Sequence, residues 1–130
     1  MAIQFMNPPG IYRPARGFSQ VAKVGTLVLI SGQTAQDETG QVVGRGDAKA
    51  QAERVYQNLQ TALAALGATF ANVVKLNSYY TDRAHMEAAR EVRPKYLGGH
   101  APASTSVIVS GLADPGYLME VEAVVELPTP

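Results

Sequence analysis

Two glutamates two residues apart, Glu120 and Glu122, lie within the stretch 117–127. Met119, Val121, Ala123 and Val125 alternate there with Leu118, Glu120, Glu122 and Val124. Side chains of a strand alternate between its faces. Both carboxylates therefore stand side by side, opposite a wholly apolar row that should pack on helices. A carboxylate so placed acts as a general base when its oxygen reaches the proton of a water or substrate; the ordinary alternative is a solvated strand glutamate or an ion-pair partner of Lys75. A second polar cluster is Ser104-Thr105-Ser106. Alternation sends Ser104 and Ser106 one way and Thr105 the other, and three hydroxyls suit a neutral polar ligand. A serine nucleophile needs an adjacent base and an oriented third group, and nothing in the spacing sets His85 or His100 beside Ser104. Arg90 and Arg93, three residues apart, share a helical face. With Arg16 and His100 they are the cations available to line a cleft, though by default each is a surface charge. Gly32 ends a strand, and glycine there allows close approach and unusual φ. Phe18 offers a ring but no hydroxyl.

Several chemistries are excluded. The chain has no cysteine, so disulfides, thiolate metal sites and a cysteine nucleophile are ruled out. The two histidines and scattered acids show no metal-ligand spacing, and there is no phosphate-loop motif. No metal or organic cofactor is expected. Eleven basic residues balance eleven acidic ones, without the clustered basic excess of a nucleic-acid binder. Zero net charge also tolerates self-association. No apolar run approaches the ~20 residues that cross a bilayer, and the first ten residues lack the basic start and apolar stretch of a signal peptide. The chain reads as one soluble cytoplasmic domain spanning residues 1–130, with no membrane partner.

The elements that must position these groups follow from periodicity. Residues 2–6 form a short strand, and the proline-rich stretch 7–16 an extended loop held to the body by Ile11 and Tyr12. Strands are expected over 18–24 and 26–31 around a turn at Gly25, followed by a mobile polar loop over 36–46. Ala52, Val55, Leu59, Ala62 and Leu66 recur at three- and four-residue steps, giving a helix from Asp47, a good N-cap, to Gly67, a good C′ residue. A strand over 73–80 precedes a helix over 82–96, where Pro94 predicts a kink or an end near Val92. Strands over 105–110 and 117–127 close the chain. The order β-β-β-α-β-α-β-β has too few helices to cover both faces of a sheet. It predicts an α+β layer pair, one sheet with both helices on one face, with Tyr79, Tyr80, Val107 and Val109 near the open face. A half-apolar open sheet predicts an oligomer.

Four segments together resemble the Rid (YjgF-like) family. They are Gly17-Phe18-Ser19-Gln20, Leu29-Ile30-Ser31-Gly32-Gln33, the 47–67 helix with Val73-Val74-Lys75, and Pro102-Ala103-Ser104-Thr105-Ser106-Val107 with Met119-Glu120-Val121-Glu122-Ala123. The match covers about residues 14–126. The resemblance implies a chorismate-mutase-like fold with one mixed sheet, and a homotrimer with ligand clefts between subunits. It also implies hydrolysis of reactive enamines and imines left by pyridoxal-phosphate dehydratases, with release of ammonia and without a cofactor. Glu120 matches the pocket carboxylate that positions or activates water, Gly32 a backbone position near the ligand, and Phe18 a position occupied by Tyr in the deaminases. The active deaminases carry Pro-Ala-Arg where this chain has Pro102-Ala103-Ser104. That Arg forks onto the substrate carboxylate, and serine offers no charge and one donor. The resemblance thus points to a deaminase-like hydrolase with altered substrate choice. The alternatives are a non-catalytic metabolite-binding, regulatory or chaperone-like trimer, favoured by loss of the Arg and the Tyr hydroxyl, and the endoribonuclease or translation-inhibitor role attributed to some relatives, which the neutral composition argues against.

Overall fold

The computed structural model describes residues 2–129. The chain order is β1 (Gln4–Met6), β2 (Val21–Val24), β3 (Leu27–Gln33), α1 (Ala48–Ala65), β4 (Val73–Tyr80), α2 (Arg83–Leu97), β5 (Ala103–Ile108) and β6 (Met119–Glu126). The six strands make one mixed sheet in the order β1-β2-β3-β6-β4-β5. Among the described residues only β4 and β5 pair in parallel, with α2 as the crossover that a parallel pair requires. The last strand, β6, inserts between β3 and β4 and pairs antiparallel with both. Glu120 and Glu122 are thereby carried to the middle of the sheet.

Both helices pack on one face. Helix α1 starts where Asp47 accepts a hydrogen bond from the Ala50 amide at 3.0 Å, and its chain turns away at Gly67, whose φ is 71°. Its apolar stripe, Val55, Leu59, Ala62 and Leu63, is buried against Val28, Ile30, Leu76, Met119, Val121 and Val125 of the sheet. Turn chemistry closes the β2–β3 hairpin, with Gly25 at φ 61° between the paired Val24 and Leu27.

Three expectations are corrected. Helix α2 does not end near Val92 but runs through Pro94 to Leu97. Pro94 is exposed while Val92 and Leu97 are buried, so the carbonyl deprived of its partner lies on the water side and core packing holds the last turn. Tyr80 lies on the helix side of β4, 3% exposed, instead of near the open face. A register shift between Val73 and Lys75 buries Val73 and leaves Val74 50% exposed, reversing the alternation at the strand's start. Loop 36–46 is tied together rather than loose. Gln36 bridges Val42, the Asp37 carboxylate accepts from the amides of Thr39 and Gln41, and the Val43 amide donates to the Ala35 carbonyl at 2.8 Å.

The open face divides into two halves. Register aligns Phe5, Ala22, Leu29 and Val124 in one row across β1, β2, β3 and β6, with Leu29 50% and Phe5 64% exposed. Toward β5 the rows turn polar: Glu122, Asn77 and Thr105, then Glu120, Tyr79 and Val107.

Candidate active site

The sheet is irregular where Glu120 sits. From Ile30 to Gln33, β3 advances three residues while its partners on β6, Ala123 to Val121, advance two. This bulge spends one extra residue and re-aims the strand end, bringing Gly32 over the Glu120 side chain. A Cβ built on Gly32 meets the Glu120 carboxyl carbon at 2.6 Å. The backbone here needs no unusual φ; the glycine is required by the closeness of the carboxylate.

Hydrogen bonds from the bulge fix the surrounding walls. Gln33 Nε2 donates to the buried Gln20 Oε1 at 2.8 Å, and Gln20 Nε2 to the Tyr12 carbonyl at 2.8 Å. The Ser31 hydroxyl donates to the Ser19 carbonyl at 2.7 Å. Tyr12 and Phe18 are so held beside Glu120. The opposite wall hangs from α1. Asn58 Nδ2 donates to the carbonyls of Thr34 and Gln36 at 3.1 and 3.0 Å. Gln51 donates to the Gly116 carbonyl at 2.9 Å and accepts from the Leu118 amide at 2.9 Å. Tyr117 Oη donates to Gln36 Oε1 at 2.9 Å. The result is a hollow of about 440 Å³ lined by Glu120, Gly32, Phe18, Tyr12, Gln36 and Tyr117 among others.

Electrostatics set Glu120 apart from its neighbour. Burial, and then the charge of Glu122, push the Glu120 carboxyl above the ordinary glutamate range. Glu122 is occupied by the Tyr79 hydroxyl, which raises the pKa of that phenol. Among the described residues no side chain hydrogen-bonds Glu120. Lys75, its expected ionic partner, donates to Thr105 Oγ1 at 3.0 Å instead. A half-buried carboxylate with free acceptor capacity and a raised pKa, at the wall of a hollow, suits proton abstraction from water.

The remaining candidates lie elsewhere. Ser104 pairs with Leu76 and Ser106 with Ser78 in the β4–β5 register, whereas Glu120 pairs with Tyr79. Two strand spacings, about 10 Å, separate both serines from Glu120, with three residues of rise for Ser104 and one for Ser106, and the serines lie on the helix side. Arg93 Nη1 donates to Ser104 Oγ at 3.1 Å. Arg90 turns to Glu87 at 2.9 Å on the exposed side of α2, with Met86 sulfur at 4.0 Å. His100 Nε2 lies 2.8 Å from the Val73 carbonyl. Arg90, Arg93 and His100 line a shallow hollow of about 240 Å³ with Pro94 and Pro102. One chain therefore brings Glu120, Gly32 and Phe18 together, and leaves Ser104, Ser106 and Arg90 at the far sheet edge. Among the described residues no group of three or more metal-ligating side chains occurs, and no helix is long and apolar enough to cross a membrane.

Sequence reasoning missed Tyr12, Gln36, Asp114 and Tyr117 as lining residues. It also missed Gln51 and Asn58, the buried polar pair that hangs the walls. A signal existed for this pair: both interrupt the apolar stripe of α1, seven residues apart and so on one face.

Residues 10–127 match the protein-family model described as Endoribonuclease L-PSP. A RutC family protein of Pyrococcus abyssi is 37% identical over 113 residues, 86% of this chain and 87% of its own length. The crystal structure of RidA from an Antarctic Psychrobacter superposes with a TM-score of 0.87 at 33% identity, over 95% of this chain and 99% of that one. A YjgF/YER057c/UK114 family member from Mycobacterium tuberculosis does so at 0.80 and 28%, over 97% and 100%.

Proposed function

The chain belongs to the endoribonuclease L-PSP family, the YjgF or Rid group, and from that premise we propose that it hydrolyses small reactive imines and enamines in the cytoplasm, as a homotrimer. The observation that carries this reading is the unpartnered Glu120 carboxylate packed on Gly32 at the wall of the hollow. Glu120 takes a proton from water, and the hydroxide adds to the imine carbon while the nitrogen is protonated. The carbinolamine then collapses to the carbonyl product and ammonia. An enamine first takes a proton on carbon to enter the same route. Phe18 and Tyr12 wall the hollow and limit bulk water.

Two separated clusters and an apolar open face support the trimer. The apolar row Phe5, Ala22, Leu29 and Val124 is a self-association surface. In this reading each cleft draws on two subunits, the Glu120 hollow of one and the Ser104 edge of the next.

The test is a coupled assay in which a serine or threonine dehydratase generates the imine in place and ammonia release is followed. Native protein is expected to accelerate release and Glu120→Gln to lose the acceleration. A native protein that leaves the spontaneous rate unchanged sinks the reading. The endoribonuclease description borne by the family model is the second reading; RNA cleavage by native protein that an identically purified Glu120→Ala sample lacks would put it first.

A further inference from the structure

We propose that Arg93, reaching from α2 across Ser104, is the guanidinium that holds the substrate's carboxylate, so that this chain takes small 2-imino acids although β5 itself carries no cation. The inference rests on the deaminase reading for its chemistry, but its evidence is separate. Among the described residues Arg93 has no carboxylate within 4 Å, while Arg90, Lys95 and Lys49 each have one. Its recorded hydrogen bond goes to a neutral hydroxyl, Ser104 Oγ at 3.1 Å. A guanidinium carries five donors, so most of its capacity is unspent. It borders the 240 Å³ hollow, whose lining holds no acid.

The sheet surface next to Ser104 is polar. Ser106 stands next to Ser78 in register, on the side facing α2. Ser78 is 1% exposed with its hydroxyl turned to Tyr80, and among the described residues the hydroxyl of the buried Tyr56 has no hydrogen-bond partner. Burial raises the pKa of both Tyr56, to about 12, and Tyr80, while the charge of Arg93 opposes the rise in each. The positive charge of Arg93 is thus felt inside this wall. A planar anion seated on Arg93 accepts a forked pair of hydrogen bonds, and Ser104 Oγ, already held by Arg93, turns its own proton to the same anion. A serine at position 104 leaves the room that an arginine there would fill. The loss of charge on β5 and its supply from α2 are then one arrangement.

The experiment is a calorimetric titration of full-length protein with 2-oxobutyrate, the carboxylate product of the proposed reaction, and with butanone, its neutral counterpart. Native protein is expected to bind the oxo acid and not butanone. Arg93→Gln weakens the oxo acid about tenfold or more, the scale of one charged hydrogen bond. Arg93→Lys falls between, because an ammonium cannot fork; Arg83→Gln binds as native. Ser104→Arg added to Arg93→Gln restores binding, which a merely unfolded Arg93→Gln protein cannot show. The proposal is overturned if native protein ignores the oxo acid, or if Arg93→Gln binds it as tightly as native. Ammonia release separates the two claims: no turnover with Arg93-dependent binding defeats the deaminase reading and leaves the clamp standing. Turnover whose KM is untouched by Arg93→Gln does the reverse.

Discussion

The Glu120 hollow and the Ser104 edge differ in how firmly each is built. Around Glu120 every wall is tied: Gln33 to Gln20 to Tyr12 on one side, and Asn58, Gln51 and Tyr117 on the other. At the edge, all six residues of β5 are exposed, and the cluster is held by two exposed contacts, Arg93 to Ser104 and Lys75 to Thr105. A reacting group needs fixed geometry and a tuned pKa, which come from packing on several sides. In the proposed trimer an edge facing another subunit would have only half its packing within one chain. The contrast between the two regions is that of a hollow fixed on several sides within one chain and an edge left open.

The sharpest way to break this contrast is to remove the base. Glu120→Gln is expected to lower turnover about a hundredfold or more, the usual weight of a general base, with 2-oxobutyrate affinity nearly unchanged; steady-state ammonia release and titration check it. Next comes Leu29→Asp on the open face, expected to convert trimers to monomers in sedimentation and to cost turnover with them, since each cleft would lose its second subunit. Gly32→Ala forces the Glu120 carboxyl aside. Because the atom it meets is the end of a flexible side chain, stability should stay within about 1 kcal/mol of native while kcat falls about tenfold.

The acid limb of the pH profile sharpens the comparison further. As the proposed base Glu120 acts deprotonated, and its pKa is pushed above the glutamate range, so the rate should rise with pH through that raised value. Glu122→Gln removes a like charge and should shift the limb to lower pH. An unshifted limb would assign the titration to another group. The smallest effect is expected from Tyr117→Phe. Losing its bond to Gln36 costs about 1 kcal/mol of stability, read by denaturant titration, and KM should move only a few-fold.

Much of this was readable from residue order. The apolar stripe of 52–66 and the caps Asp47 and Gly67 mark α1, and the alternation of 119–125 puts Glu120 and Glu122 on one face, because both patterns are local consequences of helix and strand geometry. The quoted motifs carried the family. Pro94 misled, since its cost depends on whether the affected turn faces core or water. Tyr80 simply follows Leu76 and Ser78 onto the buried side by alternation, whereas the exposure of Val74 comes from a bulge, a pairing event that leaves no period in one strand.

The sequence by itself determined the elements, their order, the faces they present and the family. Tertiary structure alone decided that β6 threads between β3 and β4, that Gly32 presses on Glu120, and that Arg93 instead of Arg90 reaches Ser104. The reason is physical. Periodicity records which side of an element is apolar, over neighbours a few residues apart. Contacts such as Gly32–Glu120, 88 positions apart in the numbering, depend on register and crossover, which are set by how the whole core closes.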